Sequence, residues 1–396
     1  MKSIKILLGL YFALSLQSCG DDSTSPPDSV INGGGSTDIS TIYNNVVSYQ
    51  TSYLRTLQIT SGAIKDTEES NSRICPYFAN FVCLALLKDP SAENVSIVKK
   101  YMQWYVSKLN GTKNPISGNA EIQGSIYDYY GVSETTQGTY DSVDSYAATF
   151  LMLAMELAKT SGENKTWLMQ YVEKLTLVSK AMEKCIDTNY NSVPESFGPD
   201  DDDGLSVASY VYPAKYLMDN CEVNQGLKAA KWLKDNNLIS TNSGDFQALL
   251  NINTSGIESQ LWRNGSYNWN DNGSASAITK WTVFYPDATS QLYPGLFDVI
   301  DASGDRANRL YTQFNRSYPD WSKGYAYTTY PWTLVCYAAA NINDQTRVNE
   351  YIKHINSYNV KNTQKAYWYN AEAAFVILAI DKIKNIGNTP PYIPIN

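Results

Sequence analysis

The chain has 396 residues, of which 43% are hydrophobic, so it can bury a sizeable core and its composition excludes an intrinsically disordered protein. The length fits one large domain or two domains of ordinary size. The formal net charge is −8 at pH 7, and the 31 lysines and arginines form no basic run along which phosphates could bind. We therefore exclude nucleic acid as a partner.

Aromatic residues are frequent, with 31 tyrosines, 9 tryptophans and 10 phenylalanines. Tyrosine and tryptophan side chains combine an apolar face with a polar edge. A sugar ring offers the complementary surface, because a face of C–H groups is bordered by hydroxyls. The composition therefore suits a protein that binds carbohydrate.

Residues 1–18 have the pattern of a signal peptide. Lys2 and Lys5 form its charged region, and the apolar stretch from Ile6 to Leu16 is too short to span a bilayer. We expect the protein to be exported and this segment to be removed.

The segment Leu16-Gln17-Ser18-Cys19 resembles the signal box of bacterial lipoproteins, in which a small residue precedes the cysteine that is lipidated. The resemblance implies that acyl chains on Cys19 anchor the mature protein to the outer membrane. A plain secretory signal is the alternative. Asp21 and Asp22 are similar to the acidic surface-export tag of Bacteroidetes lipoproteins, which would place the protein on the cell surface.

Residues 19–40 are rich in Ser, Asp, Pro and Gly, which predicts a flexible tether. The folded domain is predicted to span 41–387, and a short C-terminal tail, 388–396, follows it.

The cysteines other than Cys19 argue against a disulfide framework and against a zinc site. Five remain, which is an odd number, and no C-x-x-C spacing occurs among them. Cys75, Cys83 and Cys336 lie in apolar helical surroundings and are interpreted as small buried side chains.

Helical periodicity recurs along the domain, and no segment is β-rich and long enough for a sheet domain. Two kinds of helix alternate. Amphipathic helices with a charged face are predicted at 42–59, 91–109, 163–187, 245–262, 303–317 and 343–358. Helices rich in Ala, Leu and Tyr are predicted at 76–88, 142–160, 219–236, 286–300, 331–341 and 370–385. A helix that is apolar nearly all round must be covered on several sides, so we predict an all-α ring of six inner helices wrapped by six outer ones.

The inner helices start with similar motifs. These are Pro76-Tyr77-Phe78-Ala79-Asn80, Asp141-Ser142-Val143-Asp144-Ser145-Tyr146, Asp219-Asn220-Cys221-Glu222, Tyr285-Pro286-Asp287, Tyr330-Pro331-Trp332 and Tyr369-Asn370-Ala371-Glu372. In the alternation and in these motifs, the domain resembles the six-hairpin glycosidase-like superfamily, the (α/α)6 toroids. The resemblance implies that the inner helices start at one end of the ring, where their first residues line a groove for sugars. It does not determine the reaction, because the same scaffold carries lyases, epimerases, phosphorylases and proteins without enzyme activity.

Acidic residues at the helix starts are the candidates for catalysis. Hydrolysis of a glycosidic bond needs one carboxylic acid that protonates the leaving oxygen and one carboxylate that activates water or attacks carbon. The positive end of a helix lowers the pKa of a carboxylate, so Asp144 and Asp287 are the candidate bases. The longer Glu222 is the candidate acid, Glu372 is in reserve, and the resemblance implies inversion of configuration. The alternative is that each acid only caps its helix.

Other residues near the same helix starts are candidates for binding the sugar, with rings that stack on it and polar groups that bond its hydroxyls. They are Tyr77, Asn80, Asp141, Tyr146, Asn220, Trp281, Tyr285, Gln291, Trp332, Trp368 and Glu372. The alternative is that the rings fill the core and the amides complete helix caps.

We predict neither a cofactor nor a metal. His354 is the single histidine and is predicted at the surface of an outer helix, so a catalytic triad and a histidine-ligated metal lack support. Phosphate loops, dinucleotide-binding motifs and zinc-protease motifs do not occur. The acidic loop 199–204 does not fit an EF-hand and is predicted to be solvated, with calcium binding or a carboxylate for the groove as alternatives.

The leading hypothesis is a glycoside hydrolase that acts on an oligo- or polysaccharide, in a protein expected to be monomeric. The first alternative is a glycan-binding surface lipoprotein that has lost its acid and base. The second is a polysaccharide lyase, in which Arg263 or Lys280 would neutralise a uronate. The third is a helical-repeat protein that binds other proteins.

Overall fold

Helices dominate the computed structural model, which describes residues 38–188, 202–271, 279–359 and 367–395. The predicted signal peptide, Cys19 and nearly all of the predicted tether lie outside these ranges. None of the helices within the ranges is both long and apolar enough to cross a membrane.

The α-helices follow one another along the chain with only short strands between them. In chain order they are α1 (Ile39–Thr56), α2 (Pro76–Leu86), α3 (Ala92–Ser107), α4 (Asp144–Thr160), α5 (Gly162–Met169), α6 (Val172–Cys185), α7 (Leu217–Asp235), α8 (Phe246–Gly256), α9 (Tyr293–Leu296), α10 (Asp305–Ser317), α11 (Leu334–Asn341), α12 (Gln345–Asn359) and α13 (Asn370–Lys384). Two antiparallel pairs of short strands are β1 (Arg73–Ile74) with β2 (Tyr129–Tyr130), and β3 (Trp262–Arg263) with β4 (Ser266–Tyr267). Ile257–Leu261 and Phe284–Ala288 are π-helical turns, and Trp321–Lys323 is a 3-10 turn.

Six of these helices close a ring. Around it, α2 packs on α4, α4 on α7, α7 on α9, α9 on α11, α11 on α13, and α13 on α2. The remaining helices lie outside, with α1 and α12 on α13, α3 on α2, α5 and α6 on α4, and α8 on α7. Helix α10 faces α9, where Ala307 lies opposite Gly295. The predicted all-α toroid is confirmed.

Burial distinguishes the two layers as predicted. In the inner helix α13, every residue from Asn370 to Ile380 is buried. In the outer helix α10, burial is confined to a stripe with helical spacing, which includes Ala307, Leu310 and Phe314. A helix covered on all sides can be apolar all round, whereas an outer helix needs only one apolar face.

The fourth inner helix, predicted at 286–300, is broken. Tyr285 has extended backbone angles, and regular α-helix is limited to the four residues of α9. Pro286 and Pro294 have no N–H to donate to the preceding turn, which is the physical reason for the break. The next inner helix, predicted from 331, begins only at Leu334, because Trp332 has a φ of 57°.

Two outer helices also differ from prediction. The segment predicted as one helix over 163–187 is α5 followed by α6, because Tyr171 between them leaves helical geometry at φ −110° and ψ 12°. The helix predicted at 245–262 ends as α8 at Gly256 and continues as the π-helical turn.

The predicted C-terminal tail packs against the outer layer. The ring of Tyr392 lies 4.8 Å from that of Tyr311 in α10, and the Asn343 side chain donates to the carbonyl of Thr389 at 2.7 Å. The tail therefore covers the junction of α10 and α12.

Close packing between α4 and α7 depends on a glycine. A Cβ atom placed on Gly226 would lie 2.5 Å from the Cβ of Ala148 and 2.9 Å from the sulfur of Met182. Both contacts are far inside van der Waals distance, so any side chain at this position must push the two inner helices apart.

We expect Gly226→Ala to lower the free energy of unfolding by about 1–3 kcal/mol, the usual effect of overpacking a core. Urea unfolding followed by circular dichroism measures this loss. Gly111→Ala is the matched control, because a Cβ at that exposed position meets no atom within 4 Å. Equal unfolding midpoints for the two variants would contradict the proposed packing.

Candidate functional site

The starts of the inner helices meet at one end of the ring. Tyr77 near the start of α2 donates a hydrogen bond to Glu222 near the start of α7. The ring of Phe78 lies 5.0 Å from that of Tyr369, which precedes α13. Glu372 in α13 in turn contacts the residues before α11. The first residues of these helices are thus neighbours, as the toroid requires.

Four acidic side chains from α4 and α7 gather at this end, and we call Asp141, Asp144, Asp219 and Glu222 the carboxyl cluster. The pKa of Asp219 is raised well above its usual range, first by burial and then by the charges of Asp144, Glu222 and Asp141. Carboxylates this close resist simultaneous ionisation, because each negative charge disfavours the next. The cluster therefore retains protons that separate acids would lose.

Glu222 is a buried member of the cluster whose surroundings favour the protonated form. Glu222 is only 1% exposed, and the hydroxyl of Tyr77 donates a hydrogen bond to its Oε1. Burial raises the pKa of Glu222 well above the usual range, the Tyr77 hydrogen bond lowers it, and the charges of Asp144 and Asp141 raise it. Among the described residues no donor reaches Oε2, which leaves that oxygen for the proton.

Asp141 and Asp219 are the members that reach solvent. Asp141 is exposed in the loop before α4, and Asp219 is half-buried in the first turn of α7. The pKa of Asp141 is raised, because the effect of the surrounding protein atoms outweighs the positive charge of Arg73, which lowers it. No ion pair engages either carboxyl group in the described part of the chain.

Asp144 is fully buried, and protein donors occupy both of its carboxyl oxygens. Oδ1 accepts from the backbone N–H of Ser145 at 2.7 Å, and Oδ2 accepts from the hydroxyl of Ser206 at 2.6 Å. Burial raises its pKa to about 6, whereas the helix-end argument alone predicts a lowered pKa. These contacts favour the capping alternative, and its role as the base stays a prediction.

Asp287, the second predicted base, bonds a segment outside the carboxyl cluster. Its Oδ1 accepts from the backbone N–H of Lys280 at 2.7 Å. Burial raises the pKa of Tyr318, and the charge of Asp287 raises it further. No described hydrogen bond joins Asp287 to Glu222 or Asp219, and its role as the base stays a prediction.

Glu372 joins two inner helices. It is buried, and its carboxylate accepts from the backbone N–H groups of Trp332 at 3.1 Å and Thr333 at 2.7 Å. Burial raises its pKa, and these hydrogen bonds lower it. Glu372 therefore caps the start of α11, which is the structural alternative foreseen for such acids.

The amides predicted to bind sugar hydroxyls are all buried and bonded to protein. Asn80 donates to Thr149 of α4 at 2.9 Å, and Asn220 accepts a backbone N–H from the preceding loop at 2.7 Å. Gln291 accepts from the backbone N–H of Tyr267 at 2.8 Å and donates to its carbonyl at 2.7 Å. These residues stabilise the ring and have little surface for a ligand.

Two of the predicted stacking residues belong to the core. Tyr146 is buried and donates to Asp128 at 2.9 Å, and Trp368 is buried and donates to Gln50 at 3.2 Å. Burial is the main cause that raises the pKa of Asp128 to about 7. Neither ring offers a face to a sugar.

The other predicted stacking residues lie at the surface of this end. Tyr77, Trp281, Tyr285 and Trp332 are each half-buried. The rings of Tyr285 and Trp332 are 4.8 Å apart and inclined by 37°. Trp332 holds a left-handed backbone conformation, which is costly for a bulky residue and recurs at functional sites. Tyr77 bonds Glu222, and the charges of Asp141, Asp219 and Glu222 add to burial in raising the pKa of Tyr285, so these two rings border the carboxyl cluster.

Arg73 is a cation near the site that the sequence did not indicate. It pairs with Asp66 at 2.9 Å and with Asp128 at 3.7 Å, and its guanidinium lies over the ring of Phe78. Two carboxylates thus balance its single charge. The sequence indicated Asp219 only as an acid in the first turn of a helix. Nothing in the sequence indicated Tyr293, whose pKa is raised by burial and then by the charge of Glu222.

No group of three or more potential metal ligands among His, Cys, Asp and Glu occurs in the described ranges. His354 is half-buried beside Tyr351 in α12. Of the predicted acidic loop, only 202–204 is described. The prediction of a solvated loop is wrong at Asp203, whose buried carboxylate lies 3.0 Å from the ammonium of Lys215.

No family model matches the sequence of this chain, and no curated protein matches it. Solved structures do match it in three dimensions. A glycosidase variant in complex with glucose is 8% identical, with 88% of this chain and 99% of that chain covered and a TM-score of 0.59. A β-1,3-1,4-glucanase from Paenibacillus sp. X4 is 12% identical, with 88% and 94% covered and a TM-score of 0.54.

An α-amylase from Clostridium perfringens is 10% identical, with 85% of this chain and 97% of that chain covered and a TM-score of 0.53. Likeness at such low identity is a likeness of architecture, because one fold carries many activities. The fold of this chain is therefore that of the glycosidase-like helical toroids.

Proposed function

We propose that this protein is a glycoside hydrolase in which Glu222 is the general acid and Asp141 is the general base. The observation that carries the proposal is the contrast between two neighbouring carboxyl groups. Glu222 is buried and bonded to Tyr77, whereas Asp141 is exposed near the positive charge of Arg73. Burial raises the pKa of both groups, and it raises that of Glu222 well above the usual range. Two carboxyl groups in such different environments can take the separate roles of acid and base.

The reaction follows from this assignment. The proton on Oε2 of Glu222 passes to the glycosidic oxygen while the bond from that oxygen to the anomeric carbon breaks. A water molecule attacks the anomeric carbon from the opposite face and gives a proton to Asp141. Glu222 ends ionised and Asp141 protonated, and proton exchange with solvent restores both. Direct attack by water inverts the configuration.

Asp219 supports the pair from one turn before Glu222 on α7. Its raised pKa favours the protonated form, which can donate a hydrogen bond to a sugar hydroxyl but is a poor base. Asp144 holds Ser206 against the start of α4 and keeps the loop around Asp141 in place.

Neutral glucans are the first substrates to test. Among the structural relatives, one glycosidase was solved with glucose, and the others are a β-1,3-1,4-glucanase and an α-amylase. The charge of the site also favours a neutral sugar, because ionised carboxyl groups of the cluster would repel the negative charge of a uronate. A lyase that uses Arg263 is disfavoured, since the guanidinium of Arg263 donates to the carbonyls of Ser259 and Trp262.

We expect Glu222→Gln and Asp141→Asn each to lower kcat about 10²- to 10⁴-fold, because each removes a proton-transfer group. Release of reducing ends from mixed-linkage β-glucan and from starch measures the loss. Glu163→Gln, on the exposed first turn of α5, is the matched control. Glycan binding without turnover in every form, including the native protein, would favour a non-catalytic binding protein instead.

Tyr77→Phe is expected to shift the alkaline limb of the pH–rate profile to higher pH. The Tyr77 hydroxyl stabilises the ionised form of Glu222 and so lowers its pKa, and removing the hydroxyl raises that pKa. The acid then keeps its proton to higher pH. Tyr127→Phe is the control, because it removes a tyrosine hydrogen bond to Glu121 outside the cluster. An unchanged or lowered alkaline limb would count against Glu222 as the acid.

We also propose that the protein is exported and lipid-anchored through Cys19, on the support of the signal-peptide pattern in residues 1–18. Cys19→Ser should abolish incorporation of radiolabelled palmitate and release the protein from the membrane fraction, because a lipidated cysteine supplies the acyl chains. Ser23→Ala, nearby in the predicted tether, is the control. Membrane association that survives Cys19→Ser would contradict the anchor.

A further inference from the structure

A loop of aromatic residues lies beside the carboxyl cluster and takes no part in the proposed chemistry. We call residues 208–217 the aromatic loop. Its exposed side chains include Val211 at 71%, Tyr212 at 38% and Tyr210 at 37%. Large apolar groups exposed together on a monomer commonly mark a binding surface.

The aromatic loop is fixed to the end of the ring where the inner helices start. The backbone N–H of Val143, just before α4, donates to the carbonyl of Ala208 at 2.6 Å. Within the loop, the N–H of Ala208 donates to the carbonyl of Ala214 at 2.9 Å, and that of Tyr212 donates to the Ser209 hydroxyl at 3.1 Å. Tyr212 is therefore held at a tight turn above the start of α4.

A second segment pairs with the base of the loop. The N–H of Leu217 donates to the carbonyl of Trp269 at 2.9 Å, and the N–H of Asp271 donates to that of Lys215 at 2.9 Å. This pairing sets the rings of Tyr216 and Trp269 5.8 Å apart and nearly parallel, at 14°. The hydroxyls of Tyr212 and Tyr216 share a hydrogen bond.

A buried ion pair secures this base. The ammonium of Lys215 is 2.9 Å from Asp187 and 3.0 Å from Asp203, and all three side chains are at most 3% exposed. Breaking a buried ion pair is strongly unfavourable, so the geometry at Lys215 is well determined. Tyr212, Tyr216 and Trp269 thus form a rigid aromatic face that needs little ordering when a ligand binds.

The aromatic face adjoins the carboxyl cluster. Tyr216 directly precedes α7, three residues before Asp219, and Val143, which bonds the aromatic loop, lies between Asp141 and Asp144 in the chain. The pKa of Tyr216 is raised by burial, by its hydrogen bond with Tyr212, and by the charges of Asp219 and Asp141. The pKa of Tyr285 is raised by burial, by the charges of the carboxyl cluster, and by the charge of Tyr212. The aromatic face is thus the next surface that a chain of sugars would meet beyond the cluster.

We propose that Tyr212, Tyr216 and Trp269 form a second subsite that stacks a neutral sugar ring of a glycan chain whose neighbouring residues occupy the carboxyl cluster. This inference rests on the proposed function and deepens it, because it makes an oligo- or polysaccharide the substrate rather than a single sugar or a disaccharide. A neutral ring is required, since the ionised Asp141 would repel a uronate.

The test measures binding as a function of chain length in the mature protein carrying Glu222→Gln, so that turnover does not interfere. Cellohexaose and maltohexaose are compared with cellobiose and maltose by isothermal titration calorimetry. We expect Tyr212→Ala to weaken binding of the preferred hexasaccharide about tenfold and that of its disaccharide about twofold or less, because only the longer chain reaches the ring.

Tyr171→Ala is the matched control, because Tyr171 is a half-buried tyrosine paired with Trp167 at 4.9 Å between the outer helices α5 and α6. It should leave binding of both chain lengths unchanged. Equal effects of Tyr212→Ala on hexasaccharide and disaccharide, or no length-dependent binding of either hexasaccharide, would overturn the subsite. Length-dependent binding that requires Tyr212, in a native protein that releases no reducing ends, would leave the subsite standing and remove the hydrolase.

Discussion

Burial of carboxyl groups where the inner helices start is the constraint on which this structure depends. A closed ring places the starts of α2, α4 and α7 at one end, and acidic residues favour the starts of helices. The same closure removes water from these residues. Burial raises the pKa values of both Glu222 and Asp219, and the charges of Asp144 and Asp141 raise both further. Packing of the scaffold thus creates the proton-holding groups that glycoside hydrolysis needs.

Depth within the ring divides the carboxyl cluster into roles. Asp144 lies deepest and uses both oxygens to hold protein groups, so its negative charge serves the fold. Glu222 has one oxygen bonded to Tyr77 and the other open among the described residues. Asp141 lies at the surface and is exposed to solvent. The aromatic face of Tyr212, Tyr216 and Trp269 is the surface proposed to bind the next sugar of a longer ligand. In the proposed mechanism, a gradient of solvation across these few residues separates the structural carboxylate from the acid and the base.

The sequence predicted the architecture better than the site. Alternating amphipathic and apolar helices follow from local periodicity, so the ring could be derived. The break at Tyr285 could not, because it depends on prolines, and a proline is equally compatible with the start of a continuous helix. Glu222 and Asp144 look alike in sequence, because capping acids and catalytic acids occupy the same first turns. Only the distant partners Tyr77 and Ser206 distinguish them. The pairing of Tyr216 with Trp269 joins segments that no short motif connects.

The central claim is that burial keeps Glu222 protonated beside an ionised Asp141. Carbon-13 NMR of protein labelled at glutamate side-chain carboxyls measures this directly, with the resonance of Glu222 identified by its loss in Glu222→Gln. The account predicts a titration midpoint well above about 4.3, the value of an exposed glutamate. A resonance that titrates near that ordinary value would contradict it.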